Sequence, residues 1–528
     1  MPSRSTRSNV LGAISAGAIV VVFCLILLWH DPLLFWNDDY ELSVLPVFAD
    51  VARSWTEGRL PILSPYSWVC GNLAGEFQYG TFSIFVNAAV ILIWKFPLTF
   101  AQQAAALSIT HLFVLAAGAF LLARGRNFST PLSIFVALIA ALNGWIICWG
   151  ATDWFGALGA FAWLPWTWWA LEKSVAEAVR SGASAHPPRT AAAKTLDRKR
   201  LMIAALWPAP FVYLVITGGF PYTVLMLALL IGWLSIKSVA QTKSIMSILP
   251  MLCGVALGAG LAAPAWLALL DYVTGSARQI QASTAHWQWI VPWRALPGLI
   301  LPCWTVNWAD FSTRYLPHTG TELACGLVAP AALIAACISH GRSFVRQMKW
   351  ELFLLLLLLI LCTVPTTGVF RWSFRWLPFF HLVLALCAAE GLRLLPRSAI
   401  TPAIALFLIG VGAIAMSILH LEGSYAFPLT WILLVLAVLW LALELMLTNE
   451  SLRAWTPVSV TFVALFATYL CIPPNCGVPK YNLDQKLLSA GPLDPQRLYL
   501  SIYPPAEHTY RVEKKPQPVG QIVRPGST

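Results

Sequence analysis

Residues 10–29 read Val-Leu-Gly-Ala-Ile-Ser-Ala-Gly-Ala-Ile-Val-Val-Val-Phe-Cys-Leu-Ile-Leu-Leu-Trp. No charge interrupts the run. As a helix it extends about 30 Å, the thickness of a bilayer's hydrocarbon core. Arg4 and Arg7 precede it as in a signal sequence, but Asp31-Pro32 follows where a small-residue cleavage site belongs. The run therefore reads as an uncleaved first membrane helix.

The rest of the chain has the same character. Of its 528 residues 58% are hydrophobic and 11% charged, and the mean hydropathy is +0.71. Soluble domains carry about 25% charged residues. A water-soluble core, disorder, a collagen-like chain and a small disulfide scaffold are excluded. The apolar runs are too long for membrane strands. What remains is an all-α, polytopic helical membrane protein.

Thirteen apolar segments stand out, roughly 10–30, 98–123, 131–150, 154–171, 202–217, 222–237, 246–272, 323–339, 351–365, 377–394, 401–419, 429–447 and 455–472. Residues 1–472 thus form one transmembrane domain of about 13 transmembrane helices. Lys173, Arg180, Arg189, Lys194, Arg198, Lys199 and Arg200 crowd the 172–201 loop; Lys237, Lys243, Arg342, Arg346, Lys349, Arg393 and Arg397 follow. With the N-terminus inside and thirteen crossings, all of these lie inside, as the positive-inside rule asks. The net charge of +11 is then a matter of orientation, and no nucleic-acid-binding pattern accompanies it. A fourteenth crossing at the short apolar stretch 82–94 would put the basic 172–201 loop outside, so it reads as a broken, re-entrant or surface-lying helix; if it crosses, one of the other early segments does not.

Three external loops result: 31–80, 273–322 and 366–376. Residues 473–528 form an external, Pro-rich tail in which Arg497–Tyr503 alternates like a strand. Cys70, Cys303, Cys471 and Cys476 fall in or near external loops, where a disulfide is open; most of the eleven cysteines lie in apolar runs and act as small hydrophobes.

The first loop begins Trp36-Asn37-Asp38-Asp39-Tyr40-Glu41. An acid just beyond a membrane helix serves as a general base if it faces a polar cavity; otherwise it is a solvated loop start. Leu42, Leu45, Phe48, Ala52 and Trp55 follow at helical spacing, with Asp50, Arg53 and Glu57 elsewhere, predicting an amphipathic helix over 42–57. Turn chemistry then surrounds polar side chains at Gly58-Arg59-Leu60-Pro61, Ser64-Pro65, Gly71-Asn72 and Glu76-Phe77-Gln78-Tyr79-Gly80. Glu76 and Gln78 are candidate substrate contacts. The third loop reads Phe370-Arg371-Trp372-Ser373-Phe374-Arg375-Trp376. Its two arginines share a face if helical, and the guanidinium fork suits phosphate. Arg278 is a further phosphate candidate. Asp153, in the short loop Gly150–Trp154, is either a second acid or a loop residue. His111, inside a span, reads as a packing histidine. The cluster Trp163, Trp166, Trp168 and Trp169 fits an interfacial belt, and Trp287, Trp289 and Trp293 are open to sugar stacking. The sequence holds no P-loop, dinucleotide fingerprint, HExxH or GxSxG motif, so any activated donor must arrive in the membrane.

In order along the chain, these stretches resemble the C-type integral-membrane glycosyltransferases of the GT-C fold, most closely the YfhO-like family. The resemblance rests on Asp39 seven residues before Pro46, on Gly58–Pro61, Ser64-Pro65, Gly71 and Gln78, and on Pro165 within Ala162–Pro165. It continues through Gly219-Phe-Pro221-Tyr, Ser276 with Arg278, Phe370-Arg371 through Arg375, and Glu390-Gly391, covering roughly residues 10–420. Phe220 and Tyr222 stand where that family often has His and Gln, and its external β-rich C-terminal region is mostly absent.

The resemblance implies sugar transfer from a polyprenyl-phosphate carrier to a cell-envelope glycan, lipid or protein on the outer face of a bacterial cytoplasmic membrane. It implies inversion at the sugar carbon, with Asp39 as base and Asp38 as the second choice. It leaves a divalent cation open, although Asp38-Asp39 makes no clear ligand set. Two other classes stay open: a transporter or flippase of a lipid-linked molecule, and a non-catalytic scaffold of the same fold.

Overall fold

The computed structural model describes residues 4–36, 39–64, 71–183, 191–274, 286–291, 293–299, 321–395, 450–470, 509–512 and 515–518. Their helices are α1 Arg4–His30, α2 Leu45–Thr56, α3 Ile84–Trp94, α4 Phe100–Gly125, α5 Thr130–Leu142, α6 Phe155–Phe161, α7 Leu164–Ala183 and α8 Ala191–Leu206. They continue as α9 Ala209–Thr217, α10 Pro221–Thr242, α11 Leu249–Leu261, α12 Ala263–Val273, α13 Val328–Gln347, α14 Lys349–Thr363, α15 Leu377–Leu394 and α16 Glu450–Leu470. The only described strands, β1 Thr509–Val512 and β2 Lys515–Pro518, pair as a hairpin.

The architecture is that of a helical, multi-pass membrane protein. Six stretches are long and apolar enough to cross: Ser8–His30, Phe100–Gly125, Lys199–Thr217, Pro221–Thr242, Val328–Gln347 and Ser373–Leu394. The pair α11–α12, bent by 63°, makes a seventh if counted as one span. Other expected crossings are built from shorter pieces. α5 stops at Leu142 and a π-helical turn, Ile146–Gly150, follows. The 154–171 segment is divided between α6 and α7, and Pro165 sits in the first turn of α7, where its missing N–H costs least. Segments 401–419 and 429–447 lie outside the described residues. α3 has 11 residues, about 17 Å of helix, well short of the hydrocarbon thickness.

A charge network marks one end of the bundle. Lys237 Nζ lies 2.6 Å and Arg126 Nη1 3.6 Å from Glu351, and Arg126 also pairs with Glu172. The Arg126 guanidinium stands over Trp168 at 4.9 Å. Half-buried charges are stable only when paired this way. The network ties the C-terminal ends of α4 and α10 and the start of α14 to the middle of α7, so these three helix ends lie together.

The tryptophans of α7 correct the expectation of an interfacial belt. Trp168 is fully buried and donates to Glu172 at 2.9 Å, and Trp166 donates to the Val114 carbonyl at 2.8 Å. α7 packs against α4, α8, α9, α10 and α11, and is thus enclosed by protein on several faces. His111 is a packing residue, as expected: its Nδ1 meets the Leu107 carbonyl at 2.8 Å and its ring abuts Phe85 and Phe155 edge-on. The described cysteines are free thiols; the four external ones and Arg497–Tyr503 lie outside the described residues.

Candidate functional site

The site is built at the opposite end, from four segments far apart in sequence. The first starts at Asp39, which heads a π-helical turn, Tyr40–Val44, running directly into α2. The Asp39 carbonyl accepts from Ser43 Oγ at 3.0 Å. Leu45, Phe48 and Ala52 are buried as the amphipathic pattern predicts. Asp50 departs from that pattern, being buried on the same helix. Ser64 Oγ donates to its carboxylate and Arg53 lies 3.0 Å away. Burial raises the Asp50 carboxyl above its usual range, against the lowering influence of Ser64 and then Arg53. This acid is tolerated because the loop returns to α2 at Ser64, whose N–H donates to the Gly71 carbonyl at 2.7 Å and whose hydroxyl reaches Asp50. Periodicity cannot show such a return. Tyr40, next to Asp39, is buried; its hydroxyl bonds Ser108 Oγ, which donates to the Ala151 carbonyl, both at 2.6 Å.

The second feature is a crossing of three backbones. A Cβ on Gly219, whose φ is +104°, would lie 2.7 Å from the Gln78 carbonyl oxygen; one on Gly156 would lie 2.8 Å from the Gly219 oxygen. Only glycine permits this approach. The crossing joins the Glu76–Gly80 stretch to the start of α6 and to the Gly219-Phe-Pro-Tyr222 turn that opens α10. Tyr272, at the end of α12, donates to Glu76 at 2.7 Å, and Gln78 Nε2 reaches the other Glu76 oxygen at 3.3 Å. Burial pushes the Tyr79 phenol up to about 12, with smaller raising contributions from the charges of Glu76 and Asp39. Tyr79 thus stands within the field of both acids.

The third loop supplies the cations. A 3₁₀ turn, Ser373–Trp376, carries Arg375 into α15. Its guanidinium is ringed by aromatics, at 4.4 Å from Trp372, 4.6 Å from Trp154, 5.1 Å from Phe220 and 5.9 Å from Tyr222. Arg371 lies over Trp372 at 3.9 Å. Residues 286–291 run alongside: Phe374 N–H donates to the Trp289 carbonyl at 3.1 Å, and Trp372 Nε1 to Gln288 at 3.2 Å. Trp289 and Trp372 stack at 4.1 Å, with Trp154 parallel to both. Buried Trp149 packs beneath Trp154 and Trp289 and donates to Glu322, itself buried, at 3.2 Å.

Asp153 precedes Trp154, one of the rings around Arg375. It is buried, its charge is felt at Tyr40, and Trp154 beside it faces Arg375. Among the predicted site residues, Asp39, Glu76, Gln78, Asp153, Arg371 and Arg375 belong to this one assembly. Asp38 and Arg278 lie outside the described residues. Sequence reasoning passed over Trp154, Trp372 and Glu322. Trp372 stood between two chosen arginines, which was signal enough; Glu322 gave none. Among the described residues no group of three or more His, Cys, Asp or Glu side chains could hold a metal ion.

The arrangement brings carboxylates, two guanidiniums and a set of aromatic rings to one end of the bundle. Such a site can take a proton and stabilise a developing anion. No protein-family model and no curated protein matches the sequence. Among solved structures, the chain is similar to ArnT from Cupriavidus metallidurans in the apo state, with TM-score 0.47 and 13% identity over 89% of this chain and 77% of that one. It is likewise similar to the same protein bound to undecaprenyl phosphate, with TM-score 0.46 and 11% identity over 86% and 76%.

Proposed function

We propose that the protein is a glycosyltransferase of the GT-C class that moves a sugar from a polyprenyl-phosphate carrier to a cell-envelope acceptor on the outer face of the cytoplasmic membrane. The observation that carries the reading is the convergence of the first-loop acids, the Gly219–Tyr222 turn and the Arg371/Arg375 pair at one end of the bundle. In this reading an acceptor hydroxyl oxygen attacks the anomeric carbon from the face opposite the lipid phosphate. The bond from that carbon to the phosphate oxygen breaks, its electron pair leaves with the phosphate, and configuration inverts. Asp39 takes the hydroxyl proton. Arg371 and Arg375 hold the phosphate as its charge grows, with Arg278 as a further phosphate contact, while Glu76, Gln78 and Asp153 line the sugar side. The N-terminus lies inside and the C-terminus outside.

The test is purified protein in lipid, given radiolabelled polyprenyl-phosphate sugars and a membrane extract as acceptor. Transfer by the wild type, lost in Asp39→Asn at unchanged protein level, is the expected result. Absence of transfer from every donor sets the reading aside in favour of a flippase or a scaffold.

A further inference from the structure

Trp372 is placed in a way that ordinary packing does not require. Its φ of +67° puts it in the left-handed region, which strains a non-glycine residue and persists only where surroundings enforce it. Its stacking partner Trp289 shares the anomaly, with φ +57°. Trp289 stacks on the Trp372 indole at 4.1 Å, and Trp154 lies parallel to it at 5.5 Å. Two guanidiniums lie over that ring, Arg371 at 3.9 Å and Arg375 at 4.4 Å. Two guanidinium charges held against one ring repel each other. The negative face of an indole attracts a cation, so a ring shared by two of them offsets part of the repulsion. Arg375 also bridges to Trp154 at 4.6 Å, and the Trp372 N–H is held by Gln288 at 3.2 Å, which fixes the ring's rotation.

We propose that Trp372 is a positioning residue: its indole face gathers Arg371 and Arg375 into one convergent pair that receives the phosphate of a polyprenyl phosphate. The strained backbone is what turns the indole toward the arginines instead of outward with the loop. This rests on the glycosyltransferase reading for the identity of the ligand, and the test separates the two.

Undecaprenyl phosphate is the probe, and its binding to the full-length protein in lipid nanodiscs is measured without any transfer step. Mono-, di-, tri- and tetrafluorotryptophan are placed at position 372. Fluorine drains the ring face while barely changing its volume. Affinity falls stepwise with each fluorine, by roughly tenfold over the series, while the melting temperature stays put. Trp372→Gly, which relaxes the left-handed backbone, stays folded and binds as weakly as Arg375→Ala. Flat affinity across the fluorinated series, or wild-type affinity in Trp372→Gly, overturns the positioning role. Absence of binding by the wild type instead removes the polyprenyl-phosphate reading and the proposal with it.

Discussion

The substitution Gly219→Ala probes the crossing on which the site depends. The added methyl would stand 2.7 Å from the Gln78 carbonyl oxygen and 3.0 Å from the Gly80 nitrogen. Both neighbours are backbone, so relief requires moving a loop. Two costs combine. A φ of +104° is strained for any residue with a Cβ, at about 1–2 kcal/mol; forcing extra volume into a filled seam costs about 1–3 kcal/mol more. The sum is about 2–5 kcal/mol. Displacing the Gly219–Tyr222 turn also moves Phe220 and Tyr222, two of the rings around Arg375. The control is Gly232→Ala in the middle of α10, where a Cβ meets nothing within 4 Å; there alanine gains about 0.5–1 kcal/mol of helix stability. Thermal unfolding in detergent and sugar transfer in nanodiscs read both variants. Gly219→Ala melts several degrees lower and loses transfer, while Gly232→Ala melts at or above the wild type and transfers normally. A Gly219→Ala protein that melts and transfers like the wild type would refute the close crossing.

Four further outcomes follow from the same geometry. Arg375→Lys keeps the charge but loses the planar fork and its ring contacts, so transfer falls by about 10–100-fold, close to Arg375→Ala; steady-state kinetics check it. Glu351→Ala leaves Arg126 and Lys237 without a shared partner in a half-buried setting, costing about 3–5 kcal/mol. The melting temperature falls, while undecaprenyl-phosphate affinity in the surviving folded protein is unchanged, since the network is at the far end. Glu322→Ala removes the acceptor of the buried Trp149 N–H and costs about 1–3 kcal/mol, whereas Glu322→Gln restores most of it, as thermal melts will show. Asp50, whose carboxyl is raised chiefly by burial, binds its proton more tightly folded than unfolded. Its contribution to stability is therefore full below the ordinary carboxylate value, near pH 4, and is lost as pH climbs through the raised one. Asp50→Asn flattens that decline, and melts recorded from pH 4 to pH 8 measure it.

Much of this was legible in one dimension. The 42–57 stripe appears as α2, since Leu45, Phe48 and Ala52 obey helical spacing whatever they meet. Counting spans and basic loops put Arg371 and Arg375 in an external loop, and the Gly219-Phe-Pro-Tyr turn was marked by the family resemblance alone. The misreadings share one cause, contacts that close over long separations. Asp50 looked like a solvated residue until Ser64 folded back on it. The tryptophans of α7 looked like a lipid belt because sequence does not show that helices pack on several sides of α7. Glu322 was one charge among many in a long loop, and its burial beneath Trp149 depends on a partner 173 residues away.

The central claim is a division of labour: acids that move a proton, and arginines that hold a phosphate. It is tested most directly by measuring undecaprenyl-phosphate binding and sugar transfer side by side in Asp39→Asn and Arg375→Ala. The account predicts that Asp39→Asn binds the lipid phosphate like the wild type but transfers nothing, while Arg375→Ala loses binding and transfer together. Equal loss of binding in both variants, or transfer that survives in Asp39→Asn, would contradict it.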